Sequence, residues 1–227
     1  MNELINLINN FQIKNEILII TLVLSISIII SYRKGLSKGK KLISNKENHG
    51  EKLVRESLLE YCQNSTAHVL NNITLEYDDG TTQIDHILVT QNGILVIETK
   101  HYNGWIFANE NQKNWTQVLF KVKFKFQNPI FQNFKHLIAT QKQLDFIPEQ
   151  SISSLVVFTG EAQFKTLMPK NVIHVNNLID YIDNIRLGSI SENRVQFCVG
   201  RLECKRLELT KKTDVEHQGY LNNKFHN

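Results

Sequence analysis

Sixteen consecutive residues, Ile17 to Tyr32 (ILIITLVLSISIIISY), carry no charge, no proline and no glycine, and no other feature narrows so far what this chain can fold into. As a helix at 1.5 Å per residue the run is about 24 Å long, against a hydrocarbon core of about 30 Å. Lys14 and Asn15 can snorkel at one end, and Tyr32 suits a membrane interface at the other. A helix packed against a soluble core of this size would keep a polar stripe, whereas Val and Ile crowd this one all round. A buried strand would be shorter. A cleaved signal peptide carries its basic residues before the apolar run and a small-residue cleavage site after it; here the basic cluster follows and such a site is absent. The run therefore reads as one membrane-spanning helix, over about residues 16–32.

Charge then gives orientation. Arg33, Lys34, Lys38, Lys40, Lys41 and Lys46 follow the run, while Glu3, Lys14 and Glu16 precede it. The positive-inside rule places residues 33–227 in the cytoplasm. Cys62, Cys198 and Cys204 are too few and odd in number for a disulfide framework, and no Cys/His cluster suggests zinc; free thiols fit a reducing compartment. The 227 residues hold 26 Lys+Arg against 22 Asp+Glu, a net charge of +4. A basic chain invites the reading of a basic nucleic-acid-binding domain. Residues 1–50, however, hold seven basic and three acidic residues, and residues 51–227 hold nineteen of each. The excess belongs to the membrane flank, and the domain behind it is neutral. With 41% hydrophobic residues, ten glycines and three prolines, the chain is not collagen-like, low-complexity or wholly disordered.

Behind a basic linker (33–47), residues 50–63 have helical spacing of Leu53, Val54, Leu58, Leu59 and Cys62. Residues 68–77 read as a strand, 78–82 as a turn, and 83–90 and 94–100 as two strands of a hairpin around Gln91-Asn92-Gly93. Residues 103–118 read as short strands joined by a polar turn, and 119–126 as one alternating strand. Residues 128–146 form a helix with Pro129 near its first position. Strands at 151–160 and 171–176, and helices at 177–185 and 191–209, follow. The core is expected over 48–160, an α/β extension of the same domain over 161–210, and a polar tail over 211–227. Interleaved strands and helices around a hairpin predict a mixed α/β domain with one central sheet flanked by helices.

The densest chemical signal lies in that hairpin. Twelve residues separate Asp85 from Glu98, and Lys100 is two residues further on. Folded about Gln91–Gly93, the strands bring Asp85 and Glu98 near the same end, facing each other across the ladder. Glu98 and Lys100 point to one face. Two carboxylates at one point repel unless a cation lies between them, and Mg²⁺ is held by one or two carboxylates together with phosphate and water. A neighbouring lysine can orient water or neutralise transition-state charge. A lone Asp before a strand, or a lone Glu-x-Lys on one, is more often a turn residue or a solvated pair. Here both carboxylates stand inside apolar runs (IDHILV and ILVIETK), where buried charges need partners. The cluster has the makings of a metal-dependent phosphodiesterase.

Asp-x12-Glu-x-Lys resembles the PD-(D/E)XK nuclease superfamily, and the chain more narrowly resembles the NERD (nuclease-related domain) family. The resemblance is carried by Gly50-Glu51, the stretch from Val69 to Ile73, Gln83-Ile84-Asp85-His86, the stretch from Gly93 to Lys100, Gly104-Trp105-Ile106, Trp115, Asn128 to Gln132, and His136. It covers about residues 48–160. The resemblance implies a restriction-endonuclease-like αβββαβ core and Mg²⁺-dependent (or Mn²⁺-dependent) cleavage of nucleic acid. It implies that Asp85 and Glu98 hold metal, that Lys100 assists catalysis, that Glu51 adds an acid from the first helix, and that Gln132 is a supporting polar residue. Ile84 stands where the superfamily's name has a proline, a position where proline is often absent.

Other residues carry two readings each. His86 could face the site, but beside Asp85 on a strand it should point to the opposite face as a core histidine. Trp105 and Trp115 could stack on bases or fill the core. Lys121, Lys123 and Lys125 form one basic face, and with Lys113, Lys135 and Lys142 they give residues 111–144 six positive charges and no acid. This suits nucleic-acid contacts by Lys121, Lys123, Lys125 and Lys135; alternating lysines equally protect an edge strand from aggregation. The expected protein is a membrane-anchored nuclease acting on DNA ahead of RNA, with nucleic acid, the membrane and further copies of itself as partners. The rival reading is a tethered module that binds nucleic acid or scaffolds without cutting.

Overall fold

The computed structural model describes residues 48–78 and 80–207. The expected membrane helix, the basic linker and the polar tail lie outside the described residues, and among those described no helix is long and apolar enough to cross a membrane. The chain opens with helix α1 (His49–Gln63), capped by the Asn48 side chain, which accepts from Gly50 N–H at 3.1 Å. An antiparallel meander follows: β1 (His68–Tyr77), β2 (Gly80–Thr90) and β3 (Gly93–His101). The turn before β2 is tighter than the sequence suggests, with Gly80 already opposite Tyr77 and Asp78 at φ +47°.

After β3 come three short strands, β4 (Gly104–Phe107), β5 (Asn114–Leu119) and β6 (Val122–Gln127), and then α2 (Pro129–Gln143). Asn128 caps α2 by accepting from Ile130 N–H at 2.9 Å, and Pro129 takes the first turn, where no amide donor is needed. Strands β7 (Ile152–Thr159), β8 (Ala162–Phe164) and β9 (Val172–His174) precede α3 (Leu178–Asn184) and α4 (Glu192–Lys205).

The central sheet has the order β1-β2-β3-β7-β9, with β7 and β9 each parallel to the preceding neighbour. Its middle strands are apolar on both faces, as the unbroken runs ILVI and LVVF require, so both faces must be covered. Val54 and Leu58 of α1 and Ile182 of α3 close one face over Leu88, Leu95, Ile97 and Leu155. Ala139 of α2 and Val195, Cys198 and Leu202 of α4 close the other over Ile87, Ile94 and Val96.

The expectation of one sheet is corrected: a second, four-stranded sheet has the order β6-β5-β4-β8. The chain leaves the central sheet through Gly104, whose φ of +81° suits glycine and where a Cβ would crowd the Val118 carbonyl. Trp115 anchors this sheet, stacking on Phe158 of β7 at 6.2 Å with an interplanar angle of 14°. The single strand expected over 119–126 is also corrected. A two-residue turn at Phe120-Lys121, with Phe120 at φ +55°, separates β5 from β6 and sets Leu119 opposite Val122. An even-numbered turn leaves the apolar–lysine alternation unshifted, so the pattern gives no sign of the break.

Candidate active site

The β1–β2 ladder pairs Asn71 with His86, skips Asn72, and resumes with Ile73 opposite Ile84. Asn72 has φ +51°. Side chains alternate with period two along a regular strand, yet Ile84 and Ile87, three apart, pack in the same cluster under α2 and α4. The register is the same on both sides of the gap, so one residue on each strand, Asn72 and Asp85, is left out of the ladder. Irregularities of this kind redirect side chains beside functional sites.

From β3, Thr99 N–H donates to Asp85 Oδ2 at 2.7 Å. The β2–β3 ladder ends at His86 opposite Ile97, so Asp85 and Glu98 each stand one residue beyond its last pair. Glu98 is 2% exposed, and both its oxygens are engaged. The Lys100 ammonium donates to Oε1, and His136 Nε2 lies 3.1 Å from Oε2. A carboxylate only accepts, so His136 carries its proton on Nε2, and Nδ1 faces the Thr82 hydroxyl at 2.7 Å. Lys100 Nζ also donates to Gln132 Oε1 at 3.0 Å. Gln132 and His136 are four apart on α2 and so share a face. Between them Asn133 pins α2 to the sheet, its Nδ2 donating to Val96 O, Leu155 O and Ser154 Oγ, each at 2.9 Å.

Glu51 enters from the first turn of α1. The preceding Gly50 is buried, and a Cβ there would collide with the Thr159 hydroxyl and lie 2.8 Å from His101 Cβ. Glycine therefore lets the start of α1 sit against the ends of β3 and β7. Burial, then Glu98, then Glu51 push the Asp85 carboxyl well above the ordinary range, against the Thr99 amide and Lys100. Burial also works against ionised Glu98, but Lys100 and His136 outweigh it and hold that carboxyl low. For Lys100, burial favours the neutral amine, and Glu98 and Asp85 overcome it and raise the ammonium. Two neighbouring carboxylates are thus driven in opposite directions, Asp85 toward the neutral acid and Glu98 toward the anion.

The structure brings Asp85, Glu98, Lys100 and Gln132 to one place, with Glu51 close enough to act on Asp85. His86 faces α1, buried, with Nδ1 2.7 Å from Asn71 Oδ1. Burial and Arg55 lower its pKa to about 4. Trp115 fills the core, while Trp105 is exposed. Lys123 and Lys125 are exposed on β6, Lys121 lies in the turn before it, and Lys135 is half-buried on α2. His136 and Asn133 are the residues that reasoning from spacing passed over. Their i and i+3 placement beside Gln132 was the available signal.

Among the described residues no group of three or more His, Cys, Asp and Glu has metal-binding geometry. The donor set nonetheless fits a hard divalent cation: Asp85, Glu98 and Glu51 offer oxygen alone.

Residues 46–159 match the nuclease-related domain, NERD. The chain is also 33% identical over 218 residues to an uncharacterized protein of Bacillus anthracis, covering 92% of this chain and 96% of that protein. No solved structure matches. The chain belongs to the NERD family of nuclease-related domains, whose general kind of fold is that of the PD-(D/E)XK superfamily.

Proposed function

We propose that the chain is a membrane-anchored, metal-dependent nuclease that hydrolyses phosphodiester bonds, with DNA the favoured substrate. The observation that carries the reading is the convergence of Asp85, Glu98 and Lys100 on adjacent strands, held by Gln132 and His136 from α2. Asp85 and Glu98, with Glu51, would hold Mg²⁺ or Mn²⁺. Such an ion would polarise the phosphoryl oxygen and lower the pKa of water. The Lys100 ammonium supplies positive charge against a phosphate and the charge that develops as the bond breaks. Gln132 keeps that ammonium over the site, Thr99 N–H fixes Asp85, and His136 fixes the rotamer of Glu98. The uncharged run 17–32 and the basic flank after it support an N-terminal anchor with the domain in the cytoplasm.

The test is cleavage of supercoiled plasmid and of RNA by the full-length chain in nonionic detergent, with Mg²⁺ or with EDTA. Cutting is expected with Mg²⁺ alone, and Glu98→Ala and Lys100→Ala should each lower it at least a hundred-fold. Unchanged cleavage in either variant would show that the site lies elsewhere. Mg²⁺-independent binding without cleavage of any substrate would favour the non-catalytic module.

A further inference from the structure

The outer face of the second sheet repeats one arrangement twice. Trp105 on β4 stands opposite Val118 on β5, which stands opposite Lys123 on β6. One row further, Phe107 stands opposite Thr116, which stands opposite Lys125. Residues in one row share a face. The other face holds buried Ile106 and Trp115, with Phe124 50% exposed toward the β6 edge; on this face Trp105 is 49% and Phe107 40% exposed. Each row thus offers solvent an aromatic ring, a smaller side chain and an ammonium at the edge. No acid stands on any of the four strands. Lys165 Nζ lies over the Trp105 ring, 4.8 Å from its centre, the place a stacked base would take from it.

From this repeat we infer that the face is a platform for single-stranded nucleic acid, bases on Trp105 and Phe107 and phosphates on Lys123 and Lys125. The inference rests on the nuclease reading and narrows its substrate. Same-face neighbours on a strand are about 6.8 Å apart, twice the rise of about 3.4 Å per base in a stacked strand. Two successive bases therefore meet both rings only when they are unstacked from each other, which a duplex does not allow. Aromatic rings take bases without regard to sequence, and lysines track the backbone. The platform begins at Gly104, three residues after β3 ends at His101 and four after Lys100. Aromatic and basic residues also suit an anionic membrane surface. The pairing of one ring with one ammonium in each of two successive rows answers to a polymer with one base and one phosphate per unit.

The test uses the full-length chain in nonionic detergent and EDTA, so that nothing is cut, with fluorescein-labelled oligo-dT and a labelled duplex of equal length. The single strand should bind at least ten-fold tighter. Trp105→Ala and Phe107→Ala should each weaken single-strand binding about ten-fold, the loss of one stacked base, and leave duplex binding unchanged. Trp105→Phe should restore most of the affinity, which guards against a mere folding defect. Lys123→Gln with Lys125→Gln should flatten the salt dependence by about 1.4 in log–log slope. Equal binding of both forms, or indifference to Trp105→Ala and Phe107→Ala, overturns the platform. So does Trp105 emission that responds to phosphatidylserine nanodiscs and not to oligo-dT. Cleavage with Mg²⁺ is scored on the same preparations. A chain that cuts without single-strand preference overturns the platform alone. A chain that binds single strands through Trp105 yet cuts nothing overturns the nuclease reading and leaves the platform standing.

Discussion

The central sheet is covered by helices on both faces, and Glu98 is the one acid fully buried among the described residues. The second sheet is only partly covered, and the charges Lys123 and Lys125 on β6 and Lys165 just past β8 stand in solvent. In the first, burial forces every charge into a fixed partnership: Glu98 with Lys100 and His136, Lys100 with Gln132. In the second, charges need no partner and remain available to one. A charge inside apolar strands therefore reports local chemistry, and a charge on a half-covered sheet reports what the sheet can meet.

The two tryptophans give the largest contrast. Trp115 is 1% exposed between the sheets, so Trp115→Ala should cost about 3–5 kcal/mol in denaturant titration. Trp105→Ala should cost under about 1 kcal/mol; comparable losses would mean that the second sheet has no free face. Acid stability comes next. His86, buried and with its pKa lowered to about 4, is neutral in the folded state, while the unfolded chain takes up its proton near the usual value of about 6.5. Folding stability should therefore fall as pH drops from about 6.5 to 4, by up to about 3 kcal/mol. The difference between the parent and His86→Leu across that window isolates it; identical profiles would show that His86 titrates normally.

His136→Ala should lower activity about 10–100-fold, the usual effect of removing a group that orients a ligand side chain. His136→Gln, which can still donate to Glu98, should recover part of it. Activity unaffected by both changes would separate His136 from the site. The smallest effect is expected on the open face, where Lys123→Gln with Lys125→Gln should leave stability within about 0.5 kcal/mol. A larger loss would make these lysines structural.

Asp85, Glu98 and Lys100 could be read from the sequence because one hairpin brings them together within sixteen residues, and hairpin register follows from the turn at Gln91–Gly93. Gln132 and Glu51 came through family resemblance, since they arrive from separate helices whose docking no local pattern encodes. His136 was visible as part of the resemblance but not as the partner of Glu98, a contact spanning 38 residues. The second sheet was hidden because its strands are three to six residues long and the alternation in 119–126 runs through the turn at Phe120. The break at Asn72 had a faint signal, since Asn-Asn inside VLNNITL is poor strand sequence and asparagine tolerates the positive φ found there.

The central claim is that Asp85 and Glu98 share a divalent cation beside Lys100. Anomalous diffraction from crystals of the protein soaked in Mn²⁺ tests it most directly. A peak between the Asp85 and Glu98 carboxylates, absent in crystals of Glu98→Ala, is the result expected. Glu98 still paired with Lys100 and no peak beside Asp85 at saturating Mn²⁺ would contradict the account.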